Sequence, residues 1–134
     1  MTEDLAGALL TDGHCRVFLH PPQFYPNSPG YHHHIDLVGG PFKGTIDASA
    51  WQNWMGQFRD DLATLYETLQ GEARLPDVYE NFWMVLRGDG LGHFRTEIEA
   101  VSNDHHAVEL KFSFTIDQTQ LPAVIAALEQ MFMP

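Results

Sequence analysis

The 134-residue sequence predicts an α+β fold: an antiparallel sheet of about five to six strands with two helices packed on one face. Three observations carry this expectation. Residues 47–71 hold an apolar stripe at helical spacing. Residues 107–116 alternate apolar and polar at period two. The order of elements is strands, a long helix, a three-strand meander and a second helix, which is the order of an antiparallel sheet rather than of repeated βαβ units.

Taken in order, residues 1–14 read as a helical turn or a frayed arm, docked by Leu5, Ala8, Leu9 and Leu10. Cys15 to His20 reads as a strand with Val17 and Leu19 on one face and Arg16, Phe18 and His20 on the other. Pro21 and Pro22 end it. The turn formers Pro26, Asn27 and Pro29 make residues 23–30 a loop. Tyr31 to Val38 is the second strand and Phe42 to Ile46 the third. Gly39-Gly40-Pro41 between them is a hairpin signal.

The long helix is the element the rest is built to receive. Trp51, Trp54, Met55, Phe58, Leu62, Leu65, Tyr66 and Leu69 recur in steps of three and four. Ser49 with Gln52 matches a capping box, and Asp47 is a rival cap. Gly71 fits the left-handed stop. Gly56 weakens the helix by about 1 kcal/mol relative to Ala, and would let a strand backbone approach. The aromatic residues of the stripe are assigned to the core, with ligand stacking by Trp51 or Trp54 as the lesser alternative.

Glu72 to Tyr79 is a connection containing Pro76. Glu80 to Arg87 is apolar on both faces, as a central strand is. Asp89-Gly90 sits in the following turn. His93 to Val101 returns with Phe94, Ile98 and Ala100 on one face and His93, Arg95, Glu97 and Glu99 on the other. In the last strand Val108, Leu110, Phe112, Phe114 and Ile116 oppose Glu109, Lys111, Ser113 and Thr115. The second helix spans about residues 118–132 with the stripe Leu121, Val124, Ile125, Leu128 and Phe132. Thr119 as N-cap puts Pro122 in the first turn. With no repeat and no linker, residues 1–134 are expected to be one domain, an arm at 1–14 and a core at 15–132.

Composition narrows the function. Eighteen Asp and Glu against seven Lys and Arg give a formal net charge of −11. Phosphate recognition needs clustered cations, so neither nucleic acid nor an anionic membrane is an expected partner. A basic protein is, because such a field speeds its encounter. Scattered acids that merely keep a protein dispersed are the simpler account of the same number. No apolar run approaches the roughly 18 residues of a membrane span, and residues 1–12, with acids at Glu3 and Asp4 and no basic residue, do not read as a secretory signal. The single Cys15 excludes an internal disulfide. The expected location is cytoplasmic.

Candidate chemistry is sparse. His32, His34 and Asp36 share one strand face, with same-side neighbours roughly 6.6 Å apart. Two imidazoles and a carboxylate suit zinc or another divalent metal, and a further ligand would come from His93 or His20 if their strands adjoin. A polar, half-exposed sheet face accounts for the same pattern without a metal. Glu97 and Glu99 have acid–base spacing, but cross-strand pairing with Arg95 and Lys111 explains them more simply. His105 and His106 read as solvated turn residues. Asp12-Gly13-His14-Cys15 places its His and Cys on opposite faces, against a nucleophile. No phosphate loop, dinucleotide fingerprint, nucleophile elbow or zincin helix occurs. No catalytic residue and no cofactor are assigned, and a non-enzyme is the favoured reading.

The second half has a further outline. Phe58-Arg59-Asp60-Asp61-Leu62, with Leu65 and Tyr66, precedes a strand pair turning at Gly88 to Gly92, then His93-Phe94. The run Leu110-Lys111-Phe112-Ser113-Phe114-Thr115-Ile116-Asp117-Gln118-Thr119-Gln120-Leu121 follows. Over about residues 35–132 this resembles the small bacterial proteins grouped with WapI-type immunity proteins. The resemblance implies a cytosolic, non-enzymatic protein that binds and neutralises a toxin domain, and carries over no catalytic residue. The function expected is a binding protein that meets a basic partner through its acidic surface or open sheet face. The alternatives are a metal or small-ligand site on His32, His34, Asp36 and His93, and a homodimer that buries its open face.

Overall fold

In a computed structural model, described over residues 6–104 and 108–133, two helices and two antiparallel sheets make an α+β fold. The chain runs β1 (Ala8–Thr11), β2 (Cys15–Leu19), β3 (Gln23–Phe24), β4 (Gly30–Gly39) and β5 (Phe42–Trp51). Then follow α1 (Gln52–Thr68), β6 (Glu72–Pro76), β7 (Phe82–Gly88), β8 (His93–Val101), β9 (Glu109–Asp117) and α2 (Leu121–Phe132). The strands divide between a five-stranded and a four-stranded sheet instead of forming one. Leu5, His105, His106 and Ala107 lie outside the described residues.

β4 is the hub of the first sheet. β2 and β3 share one of its edges, at residues 35–39 and 31–32, and β5 takes the other along its whole length. Gly40 at φ 60 and Pro41 turn the β4–β5 hairpin, with Gly at the first turn position, where a positive φ is required. The second sheet runs β6-β7-β8-β9, so β7 is indeed interior, and Val85 on its second face is fully buried.

Several boundaries differ from the sequence reading. Residues 8–11 are a strand on β2, because Ala8 and Leu10 reach the core while Leu9 does not. Residues 23–24 and 72–76 also pair. The largest difference is at the start of α1. Asp47 and Ser49 lie in β5, whose ladder with β4 continues to Gly30 opposite Trp51. Ile46, Ala48 and Ala50 are buried at period two, so the strand register outweighs the capping signature. Trp51 occupies the N-cap position with no side-chain cap.

Met55, Phe58, Leu62 and Leu65 bury the stripe of α1, each worth about 1.5–3 kcal/mol. Trp54 is half-buried, while Trp51 and Tyr66 are exposed. The left-handed stop is Leu69 (φ 65), two residues before Gly71. The Leu69 carbonyl accepts from the Gly90 N–H at 2.9 Å. Only a glycine fits at 88, because a Cβ there would run into that carbonyl. Gly56 admits no strand, since the nearest atom to a Cβ there is Met133 Cε at 4.0 Å.

A 3-10 turn, Gln118–Gln120, precedes α2, and Asp117 rather than Thr119 supplies the cap by accepting from the Thr119 N–H. Pro122 stands in the first turn of α2 as expected. The helices pack on each other, α1 along β6 and α2 along β1. Both sheets contribute to one apolar cluster. The sheets meet where Gly39 of β4 lies under the Phe112 ring of β9, a Cβ at Gly39 falling 2.9 Å from that ring.

Candidate functional site

The alternation of β4 sorts its histidines as the sequence predicts. His33 points inward, 4% exposed, and donates from Nδ1 to the His20 carbonyl at 3.0 Å. Its ring stands edge-on to Phe132 and Tyr31, and burial pushes its pKa down to about 4. His32, His34 and Asp36 occupy the opposite face. His32 Nδ1 is 3.4 Å, and His34 Nδ1 3.9 Å, from one oxygen of Asp47. Tyr25 stacks on His32.

Asp36 turns elsewhere, to His20 Nε2 at 2.7 Å and the Thr45 hydroxyl at 2.8 Å. Burial raises the Asp36 pKa, but the hydrogen bonds from His20 and Thr45, with the charges of His20 and His34, bring it below the usual range. The row thus separates into a His32–Asp47–His34 group and a His20–Asp36 pair. His93 belongs to the second sheet, beside Asp89 at 3.3 Å. Among the described residues, no group of three or more His, Cys, Asp or Glu is placed to hold a metal ion.

The charged face of the second sheet is internally paired. Arg87 bridges Glu72 (2.7 Å) and Glu97 (2.5 Å), and Arg95 also reaches Glu97 (3.2 Å). Lys111 lies 4.0 Å from Glu99 and 3.9 Å from Glu109. Arg59 holds Asp60 and Glu129, and Arg74 holds Glu72. Five of the seven Lys and Arg are therefore occupied by the chain's own acids. Only Arg16 and Lys43 have no carboxylate within pairing distance among the described residues. At the first hairpin, Asp12 accepts from the His14 and Cys15 N–H groups, so this segment is a turn rather than a nucleophile with its base.

A feature absent from the sequence reading lies between the sheets. An apolar cleft of about 710 Å³ is walled by Leu37 and residues 42–46 on one side and by Ala100, residues 102–104 and residues 108–110 on the other. Its origin is simple. Phe42 shares the face of Ile46, Ala48 and Ala50, but the core ends before it and leaves it 66% exposed. On β9 the face that buries Phe114 and Ile116 runs out through half-buried Phe112 and Leu110 to Val108, 67% exposed. Two apolar strand faces thus lose their cover at the same end of the molecule. Asp104 stands at the lip, while Glu109, by the alternation of β9, turns to the opposite face beside Lys111. Lys43, by alternation, projects its side chain away from the face that carries Phe42. Exposed Phe42 beside Lys43 and Gly44 was the only local signal for this site.

Among the described residues no helix is long and apolar enough to cross a membrane. Residues 42–134, well over half of the chain, match the model of the immunity protein WapI-like family. No curated protein matches the chain.

Proposed function

Because the chain belongs to the immunity protein WapI-like family, we propose that it binds and neutralises a basic toxin domain in the cytoplasm, seating that domain on the acid-lipped cleft between its two sheets. The observation that carries this reading is the convergence of exposed Phe42 and Val108 on one apolar cleft in a chain whose formal charge is −11. Apolar surface of this kind marks association sites. The surplus of acids over the whole chain steers a cationic partner toward it. Neutralisation of this sort needs no chemistry on the chain's part, only occupation of the toxin's working surface.

The test is co-expression with any basic toxin domain found encoded beside its gene, followed by measurement of the purified pair at rising salt. Restored growth, and an affinity that weakens about tenfold on moving from low to moderate ionic strength, are the expected results. Absence of a complex at low ionic strength refutes the reading. A complex indifferent to salt refutes the electrostatic part of it.

A further inference from the structure

We propose that the cleft takes its partner as an added β-strand: an extended segment of a basic protein, alternating apolar and cationic side chains, pairs with the open edge of β5 at Lys43 and Thr45. This deepens the toxin-binding reading and rests on it for the basic character of the partner.

The edge itself makes the case. In the β4–β5 hairpin, Phe42, Gly44, Ile46, Ala48 and Ala50 direct their backbone groups toward β4, and the odd-numbered residues direct theirs outward. Downstream, the chain fills those outward positions itself. The Asp47 N–H donates to Asn103 Oδ1 at 2.9 Å, and the Asp47 carbonyl accepts from Asn103 Nδ2 at 3.1 Å. The Ser49 N–H donates to Asp77 Oδ1 at 2.6 Å, and the Ser49 carbonyl accepts from the Val78 N–H at 2.8 Å. At Lys43 and Thr45 the same outward groups have no protein partner among the described residues. Both residues line the cleft. The open length of edge and the uncovered apolar faces therefore coincide.

Strand addition supplies what such an edge lacks, since main-chain bonds give affinity and alternate side chains give specificity. The cleft-side residues of an added strand meet Phe42, Leu110 and Val108, which calls for apolar side chains. Asp104 at the lip, in a chain of formal charge −11, calls for cations. A second copy of this chain is the poorer occupant, because each brings a formal charge of −11.

The probe is a synthetic peptide, acetylated and amidated, alternating lysine and valine over about six residues, roughly one strand length. It is titrated into the full chain and followed by amide chemical shifts and hydrogen exchange. Expected are shift changes centred on residues 42–46, 102–104 and 108–110, and exchange at the Lys43 and Thr45 amides slowed about tenfold or more at saturation.

Methylating alternate backbone nitrogens of the peptide is expected to weaken binding on the order of 30-fold. Lys43→Pro should do the same, since its N–H points away from β4 and its loss removes no ladder bond within the sheet. Lys43→Gln should bind no worse than the unaltered chain, which separates the edge from the charge. No peptide binding, or binding indifferent to both N-methylation and Lys43→Pro, overturns strand addition. If the toxin-domain complex forms in the same preparation, the functional reading survives that failure. Dimerisation through residues 42–46 without peptide overturns the choice of occupant.

Discussion

Acidification is expected to weaken the fold through His33, by an amount the structure allows to be worked out. The ring is 4% exposed and its folded pKa lies near about 4, against an ordinary value of 6.5. Burial is the main cause. The bond to the His20 carbonyl and the charge of Asp47 oppose it, and the charges of His20 and His32 assist it. The folded value is depressed, so above about pH 6.5 neither state holds the proton and His33 contributes no slope. Between about pH 6.5 and about pH 4 the unfolded chain binds a proton that the folded chain refuses, and stability falls. At about pH 4.5 the loss is about 2.5 kcal/mol relative to pH 7.5, and it levels near 3 kcal/mol below pH 4.

Other groups also lose stability in acid, among them Asp36, Glu72 and Glu97, whose partners hold their pKa values down. The assay therefore compares urea unfolding of the unaltered chain and His33→Asn across this range. Asparagine keeps an N–H donor for the His20 carbonyl and cannot titrate. Its lost packing on Phe132 lowers stability equally at each pH, so the slopes are compared and not the levels. The unaltered chain should fall more steeply by about 2.5 kcal/mol between pH 7.5 and 4.5. Parallel slopes refute the argument.

Two further outcomes are expected. The Tyr31 hydroxyl is buried without a hydrogen-bond partner among the described residues, so Tyr31→Phe should raise the free energy of unfolding by about 1 kcal/mol in a urea titration. The glycine inside α1 and the glycine that ends β7 should respond oppositely to alanine in thermal unfolding. Gly56→Ala gains about 0.5–1 kcal/mol in open space, whereas Gly88→Ala loses about 2 kcal/mol or more against the Leu69 carbonyl.

Much of the fold was legible where side-chain period alone decides. The β9 alternation, the central character of β7, the α1 stripe from Met55 to Leu65 and the inward turn of His33 all follow from local spacing. The start of α1 was not legible, because Ser49 and Gln52 form a valid capping signature. Ala48 and Ala50 suit a helix as well as a strand, and only the ladder with β4 decides between them. The division into two sheets depends on contacts such as Gly39 with Phe112, remote in sequence. The cleft was hidden for the same reason, since its walls come from residues 37, 42–46, 100, 102–104 and 108–110. The histidine row was read correctly for its face. The partners it takes, His20 to Asp36 and His32 and His34 to Asp47, come from register between strands.

Asn103 gives the molecule a ruler. By copying both backbone bonds of a strand residue at Asp47, its side chain fixes where any visiting strand must end. A guest can count from Phe42 to Ile46 and no further. Under the strand-addition proposal, the length of a bound segment would thus be limited by one amide, independently of what the segment's side chains are.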